Sequence, residues 1–165
     1  MTGRTGRVVA ATLAQLVLVG VVAWAPLSAR LTGEEVRLRV APVDPYDPFR
    51  GAYADLTYPD LPDSAGRVGD PGSGAVADRG TAFVPLTRSG DVWVGGPVQR
   101  AAPDDGLFLR CDDAGWRLEC GIESWFLPQD DAAALGAAVR DGRAVATVRV
   151  DGGGHAALVD VSATP

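Results

Sequence analysis

Residues 8–25 form a run of eighteen without a formal charge, and that run sets the first limit on this chain. Inside a bilayer its backbone groups are satisfied only as a helix. Eighteen residues sit at the lower limit for crossing one, and residues 26–29 can extend the run. Gln15 is its only strongly polar side chain. Apolar side chains lie all round it rather than on one stripe, unlike a helix packed on a soluble core. Arg4 and Arg7 precede the run without an acid, which predicts a cytoplasmic N-terminus and an exported remainder; Trp24 suits the outer interface. The competing assignment is a cleaved signal peptide. Ala23-Trp-Ala25 has the small-residue spacing, but Pro26 would follow the cut, where it is poorly tolerated. Leu27-Ser-Ala29 is a weaker site, and no lipobox cysteine is present. The expectation is a single-pass cell-membrane protein. Residues 1–29 form a cytoplasmic stub and transmembrane signal-anchor, residues 26–34 read as a short linker that keeps the domain close to the membrane, and residues 30–165 form one extracytoplasmic domain.

Composition removes whole classes of chemistry. The net charge is -6, which argues against nucleic acid as a partner. Lys and Asn are absent, all fifteen basic residues are Arg, and Ile122 is the only Ile. Such usage points to a GC-rich genome. Without lysine there is no Schiff base, Ser-Lys dyad or Walker lysine.

Beyond the apolar run, short alternating segments dominate. Residues 35–40 place Val36, Leu38 and Val40 on one face and Arg37 and Arg39 on the other, a half-buried strand. Residues 59–80 are rich in Pro, Gly, Asp and Ser and read as a long flexible loop. Strands at 81–86 and 92–98 flank Arg88-Ser-Gly-Asp91, a hairpin turn. A second hairpin is expected from 107–111 and 116–122 around Asp112-Asp-Ala-Gly115. Trp93 and Trp116 are expected as core anchors. Residues 129–142 read as a helix, with Asp130 at its start and Gly142 at its end. Strands at 144–150 and 155–161 close the domain around Asp151-Gly-Gly-Gly154. The expected fold is mainly β (α+β): the N-terminal helix, then an antiparallel sheet or open barrel with one covering helix.

The most distinctive stretch runs Asp44-Pro-Tyr-Asp-Pro-Phe-Arg-Gly-Ala-Tyr-Ala-Asp-Leu-Thr-Tyr58. Pro45 and Pro48 bias the entry to turn and extended conformations. Gly51 permits a bulge or close approach. Alternation then places Leu56 and Tyr58 in the core, and Tyr53 on the second face beside Arg50. Gly51-Ala-Tyr-Ala-Asp-Leu-Thr-Tyr58 resembles the signature of the GDYXXLXY family, and Asp47-Pro-Phe-Arg50 resembles its lead-in. Gly121-Ile-Glu-Ser-Trp-Phe-Leu-Pro128 resembles that family's second block, so the likeness covers about residues 35–161. Ala52, Trp125 and Gln129 depart from the Asp, Tyr and Glu of the pattern. The resemblance implies a membrane-anchored bacterial protein of unknown function, often encoded beside a polytopic membrane protein. The residues it singles out are Asp47, Arg50, Gly51, Tyr53, Leu56, Tyr58, Glu123, Trp125, Phe126 and Pro128.

Cys111 and Cys120 are nine apart, and an odd separation lets two residues oppose each other in a hairpin. A tight turn at Asp113-Ala114 would instead pair Cys111 with Trp116, so opposition needs a wider loop. In an exported domain they are expected to form a disulfide, contributing on the order of 2–3 kcal/mol. His155 is the only histidine. It follows three glycines, no Gly-x-Ser-x-Gly is present, and it reads as an exposed turn residue. The acid pairs at 104–105, 112–113 and 130–131 read as solvated turns and a helix start. Arg50 and Glu123, one in each block, form a candidate ion pair. No cofactor or metal is expected. The leading assignment is a non-enzymatic accessory module for a polytopic integral membrane partner. The alternatives are a hydrolase using Glu123 with Asp55 or Asp47, and a ligand-binding module lined by Tyr53 and Trp125.

Overall fold

A computed structural model describes residues 2–42, 53–63, 79–115, 117–126, 138–139 and 141–164. Helix α1 spans Thr2–Thr32. Within it, Gly6–Trp24 is long and apolar enough to cross a membrane, and none of that window is buried by the rest of the chain. It is a candidate membrane anchor. The expected linker is helical instead. The helix runs through Pro26 to Thr32, and the Gly33 N–H still donates to the Ala29 carbonyl at 2.9 Å. Pro26 forfeits one helical bond, but tertiary contacts hold the turns after it. Ala29 is fully buried, and Arg149 Nη1 donates to the Arg30 carbonyl at 2.6 Å. That carbonyl is one of those a helix end leaves unpaired. A Cβ on Gly33 would lie 2.3 Å from the Ala29 oxygen and 2.9 Å from the Val150 nitrogen. Only glycine lets the helix enter the sheet at that point.

Eight strands follow among the described residues: β1 Glu34–Pro42, β2 Tyr53–Thr57, β3 Thr81–Ser89, β4 Val92–Gly95, β5 Phe108–Asp112, β6 Ser124–Phe126, β7 Ala144–Val150 and β8 Ala156–Ala163. They form a five-stranded sheet in the order β6-β2-β1-β7-β8 and a three-stranded sheet in the order β4-β3-β5. Every pairing is antiparallel. The alternation in β1 works as expected: Val36, Leu38 and Val40 are buried, and Arg37 and Arg39 are exposed. The sheets curl into a half-barrel around one core. Val36, Leu38, Leu56, Tyr58 and Val148 meet Val84, Leu109, Cys111 and Ile122 there, with Trp93 packed at its side.

Two hairpins sit where the sequence places them. β3 and β4 turn through Gly90 and Asp91, with Gly90 at φ 65°. β7 and β8 turn through residues 151–155, and β8 carries a bulge opposite Thr147/Val148. Among the described residues the second expected hairpin is reduced to a single antiparallel bridge. β5 pairs with β3, and the return segment makes only one isolated bridge, Asp112↔Glu119. The next strand is β6, which crosses to the other sheet and pairs with β2. Trp116 lies outside the described residues. So does most of the expected helix over 129–142. Of it, Ala138 and Val139 are helical and buried. Its end is a Schellman motif: Gly142 has φ 67°, its N–H reaches the Val139 carbonyl at 3.1 Å, and the Arg143 N–H reaches the Ala138 carbonyl at 2.8 Å.

Candidate functional site

The two distinctive sequence blocks meet in space. β2 and β6 pair in the register Tyr53↔Phe126, Ala54↔Trp125 and Asp55↔Ser124. Just past the ladder, the Leu56 N–H donates to the Glu123 carbonyl at 2.7 Å. Leu56 and Tyr58 are both buried, as the alternation requires. The Tyr58 hydroxyl donates to the Ile122 carbonyl at 2.6 Å inside the core. Burial, and then the charge of Glu123, push that phenol well above its ordinary pKa. It is therefore a fixed donor.

Glu123 works on its own loop. One carboxylate oxygen accepts the Cys120 N–H at 2.5 Å and the other accepts the Gly121 N–H at 2.9 Å. Gly121 has φ 80°, so the carboxylate holds a turn that glycine permits. Cys111 and Cys120 form a disulfide. The Asp112↔Glu119 bridge explains it, because one step further along that register sets Cys111 opposite Cys120. The wider loop that opposition requires is present.

The segment after the motif strand laces both sheets together. Asp60 takes two bonds of 2.5 Å from the Arg39 guanidinium on β1. That contact raises the Arg39 pKa further above its already high value. The Asp60 carbonyl accepts from Gly95 on β4 at 2.8 Å, and the Asp63 carbonyl accepts from Leu118 at 2.9 Å. Residues 59–63 are thus tied down at the start of the expected flexible loop; residues 64–78 lie outside the described residues. At its far end, Gly80 N–H donates to Asp113 Oδ1 at 2.6 Å, Arg100 pairs with Asp113, and Arg79 Nη1 donates to the Gly115 carbonyl at 2.6 Å. Asp113 is buried and networked, not a solvated turn acid, whereas its neighbour Asp112 is exposed. The Arg100 bond, aided by Gly80 and Arg79, outweighs burial and holds the Asp113 carboxyl below the usual range.

The GDYXXLXY protein family matches this chain over residues 15–161. The chain belongs to that family. No curated protein and no solved structure matches it.

In this GDYXXLXY protein, the signature residues divide by what surrounds them. Leu56, Tyr58 and Glu123 join β2 to the loop before β6, and Trp125 packs half-buried against the core. Asp47, Arg50, Gly51 and Pro128 lie outside the described residues, as do the side chains of Tyr53, Asp55 and Phe126. The candidate Arg50–Glu123 pair therefore falls outside them too. Sequence reasoning missed Asp60, Asp113 and Asp151. The last is buried in the β7–β8 turn. Burial works to raise its carboxyl, but bonds from Ser28, from the His155 and Gly153 amides and from the His155 ring hold it below the usual range. His155 is half-buried rather than an exposed turn residue, its Nδ1 3.2 Å from both Asp151 oxygens. Ser28 bonds the carboxylate rather than the imidazole, the wrong order for a nucleophile activated by its base. Among the described residues no cluster of three or more His, Cys, Asp or Glu could hold a metal.

Proposed function

We propose that this protein is a membrane-tethered, extracytoplasmic accessory module that docks onto an integral membrane partner and performs no bond chemistry of its own. The observation that carries this proposal is the use to which the signature is put. Two of its polar side chains are engaged within the fold around β2 and the loop before β6: the Tyr58 hydroxyl on Ile122, and both Glu123 carboxylate oxygens on backbone N–H groups. A general acid or nucleophile must offer a free oxygen to its substrate. A scaffold motif must instead fix a surface in space. The unburied apolar helix supplies the tether.

The test is purification of the full-length chain from its own membranes in mild detergent, with and without brief crosslinking. A polytopic membrane protein is expected to accompany it in constant ratio. Repeated recovery of the chain alone, in good yield from both preparations, overturns the proposal.

A further inference from the structure

We infer that the last two turns of α1 carry a lipid-interface contact that tilts the helix and lifts the attached domain off the membrane surface. This inference rests on α1 being a membrane anchor. The joint fixes which way the helix faces. Ala29 is fully buried, Gly33 has backbone within 3 Å of where a Cβ would sit, Arg149 holds the Arg30 carbonyl, and Ser28 bonds Asp151. Helix and sheet are therefore oriented together rather than hung from a free linker.

Three large apolar side chains near the joint remain exposed: Trp24 at 68%, Leu27 at 49% and Leu31 at 70%. At about 100° per residue they lie roughly 220°, 160° and 200° around the helix from Ala29, on the face directly opposite the docked one. The apolar window itself ends at Trp24. The stripe carries the same surface onward by two turns on that face only, while the domain-side face has turned to Ser28 and its carboxylate partner. In an upright helix Leu31 would stand about 10 Å beyond Trp24, past a headgroup layer of about 5–8 Å. A lean towards the stripe, of the size membrane helices ordinarily adopt, lowers Leu31 into that layer. It raises the opposite side, where the domain sits. Lipid is the occupant favoured because the stripe is continuous with the membrane window and pairs Trp and Leu with the neighbouring cation of Arg30, as interfacial segments do.

The experiment places a nitroxide on the one added cysteine of variants V17C, L27C, R30C and L31C of the full chain, labelled without reductant so that the Cys111–Cys120 bond persists. Each is reconstituted alone in phosphatidylcholine–phosphatidylglycerol vesicles, and oxygen and nickel-chelate accessibilities are compared. The expected result is an oxygen-to-nickel ratio several-fold higher at 27 and 31 than at 30, with 17 higher still. Equal aqueous values at 27, 30 and 31 with lipid exposure at 17 overturn the inference and leave the anchor standing. Aqueous values at 17 as well overturn both. Immobile, inaccessible labels at 27 and 31 mean a second copy covers the stripe, and also overturn it.

Discussion

Tyr58 shows how a family signature can be spent on architecture. Its ring fills the core and its hydroxyl satisfies the Ile122 carbonyl, a buried acceptor with no water to turn to. Replacing it with Phe keeps the ring and orphans that carbonyl. The expected loss is about 1–2 kcal/mol, read as a lower denaturant midpoint at unchanged slope; an unchanged midpoint would show that the bond adds nothing net. Period-two alternation made the placement of Leu56 and Tyr58 legible in the sequence. The job of Glu123 was not legible, since its partners are the N–H groups of Cys120 and Gly121. Main-chain donors in a left-handed turn leave no mark on a sequence beyond one glycine.

At the scale of elements, hairpins with strong glycine turns were readable and the long-range pairing was not. β7 and β8 follow from alternating apolar residues on either side of Gly152-Gly-Gly154. The expected partner of β5 keeps only the Asp112↔Glu119 bridge among the described residues, and β3 supplies the ladder instead. Nor could propensity foresee the helix continuing beyond residue 29 to Thr32, because what stabilises that end lies on β7, more than a hundred residues later. Gly154 marks another such contact. It has φ 79°, its carbonyl accepts from Arg110 at 2.8 Å, and a Cβ there would fall 2.6 Å from the Phe108 ring. Phe108 also meets Phe83 edge-on with centroids 5.7 Å apart. Gly154→Ala forces both a strained backbone and a shifted ring. The expected cost is about 2–3 kcal/mol. Gly152→Ala, where nothing lies within 4 Å of the new carbon, should cost clearly less in the same thermal melt.

For the whole molecule, acid is the natural denaturant. Asp113 and Asp151 each have a carboxyl held below its ordinary value in the fold. A depressed folded pKa gives stability that is complete above the unfolded value, about 3.9 for Asp, and lost as pH falls through the folded one. The thermal midpoint should stay level from pH 7 to about 5 and then drop progressively below about pH 4. Asp113→Asn should be less stable at neutral pH and show a shallower fall; a parallel curve would mean the carboxyl does not differ between folded and unfolded chain. The two residues tie different parts of the body, one the segment entering β3 and the other the joint with α1.

The margins of the sheets carry a consequence for life in a crowd. Among the described residues β4 is four long, two amides of the edge strand β5 are taken by the Gly154 and Glu119 carbonyls, and β8 is broken by its bulge, with Val159 standing out at 45% exposure. Short or kinked borders offer no straight row of amides for a neighbour to zip onto. However densely such chains gather, they should slide past one another rather than fuse into fibres.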